Sequence, residues 1–136
     1  QISNINIPNL VASELNIDVD LFKNGEIASL FKLNCEWLNR LIKVKNIASL
    51  EEVINIVPKT IKIELEKLLK KANEVEYSNI IIAPLYYGSL RYYDGIYYRV
   101  INDNLTLCNG GVYSSEGINS LGFALYTDNL LKILED

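Results

Sequence analysis

The sequence predicts an α+β domain, with two to three helices beside an antiparallel sheet of about four strands. Apolar residues recur at three- and four-residue spacing as far as about residue 77. From about 79 to 127, short β-branched and aromatic runs alternate with Gly, Asn and Asp. Apolar residues make up 49% of the 136 and charged residues 22%, so the chain has the material for one real core. The expectation is a single domain over 1–136, mainly helical over 1–78 and sheet-forming over 79–136.

Residues 1–7 alternate Ile2, Ile5 and Ile7 with Ser3, Asn4 and Asn6, a short strand ended by Pro8. Asn24-Gly25 breaks the chain. Ile27, Leu30, Phe31, Leu38, Leu41 and Ile42 then form one apolar stripe, predicting a helix of about five turns with Cys35 on the same stripe. Ser49-Leu50-Glu51-Glu52 has capping-box form, with Ser49 as N-cap and Glu52 at N3, opening a short helix that ends by Pro58. A further helix runs from about Thr60 to Asn73. Ile61, Leu65, Leu68 and Ala72 face inward, and Lys62, Glu66 and Lys70 face water, with Glu66 and Lys70 as an i,i+4 pair. The lysines at 67, 70 and 71 read as a solvated face. Ile80-Ile81-Ile82 predicts a strand covered on both faces. Residues 95–101 and 105–108 flank Asn102-Asp103-Asn104 and read as a hairpin. Residues 121–126 form another strand, and Thr127 is placed to N-cap a final helix carrying Leu130, Leu131 and Leu134.

The chain contains no His, which excludes a Ser-His-Asp triad, a His general base and a His metal ligand. Two cysteines without His cannot make the usual zinc site, so neither a metal nor a cofactor is expected. Cys35 and Cys108 read as reduced, buried thiols, the state expected of a cytoplasmic protein. The net charge of −4 argues against a nucleic-acid partner, and neither half is basic: residues 1–83 carry 10 basic and 11 acidic side chains, 84–136 carry 3 and 6. No apolar run is long enough to cross a bilayer, and no signal peptide opens the chain. With no Met present, the chain reads as part of a longer or processed protein.

The densest chemistry lies at 86–99, which holds six tyrosines. Tyrosine joins a flat apolar ring to one hydroxyl and suits a pocket for a small polar ligand such as an amino acid. An aromatic partner interface fits the same composition equally well. Asp18 and Asp20 read as solvated loop residues, and Asp94 as a turn residue. Gly110-Gly111 permits a sharp bend or close ligand approach, but no phosphate-loop signature follows it.

Tyr92-Tyr93-Asp94-Gly95-Ile96-Tyr97-Tyr98, then Gly110-Gly111-Val112-Tyr113, then Leu121-Gly122-Phe123-Ala124-Leu125 occur in an order and spacing that resemble the C-terminal half of the histidyl-tRNA synthetase catalytic core. That family carries Arg-Gly-x-x-Tyr-Tyr-Thr-Gly, Gly-Gly-Arg-Tyr, and a motif 3 strand and helix, Gly-Phe-Ala-x-Gly-x-Glu/Asp-Arg-Leu. The match covers about residues 84–134, and 1–83 take the place of the helical insertion after motif 2. The resemblance implies a class II aminoacyl-tRNA synthetase-like core with motifs 1 and 2 outside this chain.

The departures carry the functional reading. The family's catalytic Arg falls on Gly88 and its following Gly on Ser89. The Arg of Gly-Gly-Arg-Tyr falls on Val112, and the motif 3 Arg on Asn129. Amino-acid activation needs guanidinium groups where carboxylate and triphosphate charge sit, and Gly, Val and Asn supply none. Arg91 and Arg99 stand out of register for simple replacement.

This pattern is similar to the family's non-catalytic paralogues, the regulatory subunits of ATP phosphoribosyltransferase. The resemblance implies a hetero-oligomer with a short-form catalytic subunit in the first step of histidine biosynthesis, conveying inhibition by histidine, and a homodimer in the full-length form. By the same resemblance Tyr93 and Tyr113 would contact histidine, with Tyr92 as a further candidate, while Gly110, Gly111 and Gly122 would leave the ligand room. The competing readings are a divergent amino-acid-activating enzyme using Arg91 or Arg99, and a pure assembly module.

Overall fold

A computed structural model describes residues 1–87, 95–115 and 118–134. The chain opens on β1 (Ile2–Asn4), followed by helices α1 (Asn6–Leu15), α2 (Asp20–Lys23), α3 (Ile27–Phe31), α4 (Glu36–Ile42), α5 (Ile47–Val53) and α6 (Lys59–Glu74). Strands β2 (Ile96–Asn102), β3 (Leu105–Ser115) and β4 (Ile118–Leu125) and helix α7 (Thr127–Leu134) complete it. The sheet is four-stranded and antiparallel, in the order β1-β2-β3-β4, so the α+β expectation holds.

Helix α6 organises the helical part because its apolar residues fall on one face. Ile61, Leu65 and Leu68 are fully buried and Ala72 nearly so, in one cluster with Ile7 and Val11 of α1 and Leu50 of α5. The surface ion pairs on α6 are Glu64–Lys67 and Lys71–Glu74, both at i,i+3; the expected Glu66–Lys70 pair is not among those of the described residues.

Several local expectations are corrected. The alternating start does not continue to Pro8: β1 stops at Asn4, and Pro8 sits in the first turn of α1, where a missing N–H costs no helical hydrogen bond. The five-turn helix is two helices, α3 and α4, parted at Asn34, whose φ of 51° is left-handed. The apolar stripe continues across the break because Leu30, Leu38 and Leu41 enter the same core. Cys35 is the N-cap position of α4 and packs half-buried against that core.

The capping box of α5 lies one turn earlier than the sequence suggested. Asn46 is the N-cap and accepts from Ser49 N at 2.8 Å, while Ser49 Oγ accepts from Asn46 N at 3.1 Å. Asn caps as well as Ser, and this start buries both Leu50 and Val53. The three isoleucines at 80–82 do not form a doubly covered strand. Ile82 is fully buried and makes one parallel bridge to Ile2, whereas Ile81 is 57% exposed.

Strand β1 therefore lies between β2 and the 81–83 segment. Ile2 N donates to Ile81 O and Ala83 N to Ile2 O, each at 2.9 Å. Asn4, fully buried, holds this strand against α6. Its Nδ2 donates to Glu64 Oε2 at 2.8 Å and to Glu64 O at 3.2 Å, and its Oδ1 accepts from Asn6 N at 3.0 Å.

The hairpin between β2 and β3 turns at Asp103 and Asn104, with φ of 44° and 71°. Positive φ at both centres suits the twist of the flanking strands, and Asn and Asp tolerate it. A register shift falls between Val100 and Ile101. Beyond it Tyr98 pairs with Gly110 and Gly110 with Phe123. A Cβ on Gly110 would come within 2.6 Å of both Tyr98 Cζ and Gly122 O, so the Tyr98 ring occupies the space that a side chain would fill. Burial, with the Cys108 thiol beside it, pushes the Tyr98 phenol pKa up.

Two measurements check this account. Gly110→Ala should destabilise the protein by about 1–3 kcal/mol in chemical denaturation, because ring and carbonyl must both move. Burial alone would raise the Glu64 pKa, but hydrogen bonds from Asn4 and Lys67 and the Lys67 charge outweigh it and hold the carboxyl below its ordinary value of 4.5. A lowered pKa contributes stability above the unfolded value, and that contribution is lost as pH falls through the folded one. Stability measured from about pH 6 down to about pH 3 should therefore fall more steeply for the native protein than for Glu64→Gln. Parallel curves would show that Glu64 does not carry this dependence.

Candidate functional site

Strand alternation sorts the sheet into two faces. The register aligns Tyr97, Gly111 and Gly122 on one row and Arg99, Asn109 and Ala124 on the next row of the same face. Gly111 and Gly122 thus stand directly opposite each other. Gly110 lies on the other face, beneath Tyr98, with Phe123 beside it. The three candidate glycines are therefore not one surface: Gly111 and Gly122 are brought together and Gly110 is turned away. The Tyr113 backbone pairs with Ser120, two positions along β3 from Gly111. Tyr92 and Tyr93 lie outside the described residues, as do Gly88, Ser89 and Arg91.

The face that carries Gly111 and Gly122 also borders a cleft of about 410 Å³. Tyr97 and Arg99 of β2, Asn109 of β3, the hairpin residues Asn104 to Thr106, and Tyr126 and Asn129 at the start of α7 line it, together with Tyr86. Tyr86 and Tyr97 are stacked with ring centroids 5.9 Å apart and an interplanar angle of 8°. The Arg99 guanidinium lies 4.2 Å from the centre of the Tyr86 ring, and its Nη2 donates to Gln1 Oε1 at 2.7 Å. A guanidinium over an aromatic face is attracted by the ring quadrupole.

The remaining polar groups are fixed by one another. Asn109, only 3% exposed, donates from Nδ2 to the Tyr126 hydroxyl at 2.8 Å. Asn129 donates from Nδ2 to Thr106 O at 2.8 Å, tying the first turn of α7 to β3. The residue that stands where the resemblance places the motif 3 arginine is thus in the cleft, but as a neutral amide that stitches the cleft wall.

The sequence reading keeps Arg99 only for the competing enzyme and names Tyr86 only within the tyrosine-rich run, and it does not single out Asn109 or Tyr126 as site residues. The period of two along β2 was the available signal, since it puts Arg99 on the face of Tyr97. Nothing local could place Tyr86 on that face.

A second cavity of about 520 Å³ lies between α2–α4 and residues 83–87; it is mainly apolar, with Lys23 Nζ 5.7 Å from the Tyr87 ring centre. Among the described residues, no His, Cys, Asp or Glu cluster is arranged to hold a metal, and no helix is long and apolar enough to cross a membrane. Cys35 and Cys108 are both free and half-buried.

No family model matches the sequence. Two curated relatives do. The ATP phosphoribosyltransferase regulatory subunit of Wolinella succinogenes is 38% identical over 132 residues, covering 97% of this chain and 46% of the relative. The ATP phosphoribosyltransferase regulatory subunit of Helicobacter hepaticus is 35% identical over 134 residues, covering 98% of this chain and 48% of the relative. The chain therefore spans about half the length of the curated relatives it matches. With that identity sustained from end to end, the chain is a homologue of the ATP phosphoribosyltransferase regulatory subunits over about half of their length.

Proposed function

We propose that this chain is part of a regulatory, non-catalytic subunit that joins a short-form ATP phosphoribosyltransferase catalytic subunit in a cytoplasmic hetero-oligomer. It is required there for transfer of phosphoribosyl to ATP in the first step of histidine biosynthesis, and it conveys inhibition by histidine. The observation that carries the proposal is identity of 35–38% to two regulatory subunits across nearly the whole chain.

The residues at the resemblance's arginine positions support it. A class II synthetase-like core that activates an amino acid must hold a carboxylate and a triphosphate while negative charge develops, and it does so with guanidinium groups. At the three positions where the resemblance places those groups, this chain has Gly88, Val112 and Asn129. The domain retains the tyrosines and the facing Gly111 and Gly122, which suit binding a small amino acid without activating it. Tyr93 and Tyr113 are the proposed histidine contacts, with Tyr92 as a further candidate. Residues 1–136 act as one domain, and the full-length subunit forms a homodimer. Ligand binding that changes the affinity for the catalytic subunit must be changed equally by that subunit, which is the thermodynamic basis for feedback at a distance.

The test uses the full-length protein containing this chain together with the catalytic subunit. Phosphoribosyl transfer should require both proteins and should fall with added histidine. Tyr113→Phe should weaken histidine binding in calorimetry by about tenfold, the effect of one lost hydrogen bond to a polar ligand, while transfer activity without histidine persists. ATP–pyrophosphate exchange by the protein in isolation, dependent on Arg91 or Arg99, would instead establish a divergent amino-acid-activating enzyme.

A further inference from the structure

Among the described residues that line the cleft beside β2, Arg99 is a cation with no carboxylate facing it. Arg99 is held by the Tyr86 ring at 4.2 Å and by Gln1 Oε1 at 2.7 Å from Nη2. Among the described residues its Nε is buried without a hydrogen-bond partner. The rest of the described lining is neutral: Asn104, Thr106, Asn109, Tyr126 and Asn129 surround the space with amides and hydroxyls. In a chain of net charge −4, with 17 acidic side chains available, a cleft whose described lining holds Arg99 and no Asp or Glu departs from the overall balance. A part-buried guanidinium retains a strong demand for an anionic partner, because removing donors from water is costly unless they are paired. The cleft volume of about 410 Å³ falls within the range of about 300–1,000 Å³ common for small-molecule sites.

We propose that this cleft is a binding site for a small anionic metabolite, whose carboxylate or phosphate group is held by Arg99. The guanidinium donors not taken up by Gln1 suit the oxygens of either group, and the contact with the Tyr86 ring holds the side chain in place. The Asn104 amide and the Tyr126 hydroxyl proton face the neutral part of the ligand. The site rests on Arg99 and uses none of the proposed histidine contacts, so it is tested independently of them.

The experiment is calorimetry and thermal unfolding of the full-length protein, titrated separately with inorganic phosphate and with succinate at ionic strength matched by sodium chloride. The expected result is saturable binding of at least one probe with a rise in Tm, and the stronger of the two identifies the preferred anionic group. Arg99→Gln should raise Kd about tenfold or more. Asn104→Asp keeps the hairpin, since Asp tolerates the φ of 71°, and adds a negative charge at the cleft rim. It should weaken binding in the same direction while leaving the ligand-free Tm unchanged. Responses no larger than that to chloride, or a Kd unchanged in Arg99→Gln, would overturn the proposal. If Arg99→Gln does not fold, an unchanged Kd in Asn104→Asp overturns it.

Discussion

The hydrogen bonds of one buried amide join the two parts of this protein. Asn4 sits at the end of a three-residue strand with no exposed surface, and its side chain reaches the Glu64 backbone, the Glu64 carboxylate and the Asn6 N–H. A primary amide buried in a core is tolerated only when its donors and acceptor are used, and here both are engaged. Because those partners lie on α6 and at the start of α1, the position of the sheet relative to the helices follows from satisfying this side chain. The Glu64 carboxylate is shared with Lys67 at 2.9 Å, so a surface charge anchors the outer end of the network.

From that anchor the functional face follows by register. Strand β1 sets β2 through Ile2–Tyr98 and Ser3–Tyr97, and β2 sets β3 and β4 in turn. One consequence is that neighbouring glycines have opposite surroundings. Gly110 admits an aromatic ring from its own sheet, whereas Gly111 faces Gly122 on the side where Tyr97 and Arg99 project. The cleft walls are stabilised by contacts between distant segments, Tyr86 on Tyr97 and Asn129 on Thr106, and not by any one loop.

How much of this was readable in advance depended on whether the determining contacts were local. Helix α6 was legible because Ile61, Leu65, Leu68 and Ala72 mark one face without reference to anything else. The hairpin at Asp103-Asn104 was legible because few residues other than Asn, Asp and Gly accept positive φ. Strand β1 was only half legible, since three residues become a strand through partners near 82 and 98. The break at Asn34 left no trace in the apolar pattern, because the helices on both sides of it serve one core. In the cleft, alternation alone could pair Arg99 with Tyr97, but Tyr86 and Asn129 reach it through tertiary packing that no spacing rule encodes.

The placement of β1 also has a kinetic side. Its partners on β2 lie 92 to 96 residues further along the chain. On a ribosome advancing at about 5–20 residues per second, that separation amounts to a wait of about 5–20 s. Throughout that interval the nascent helices can already assemble, while the β2-facing edge of β1 must stay unpaired. Closing so long a loop carries a large entropic cost before any contact rewards it, so joining these two strands should be the slow step of folding.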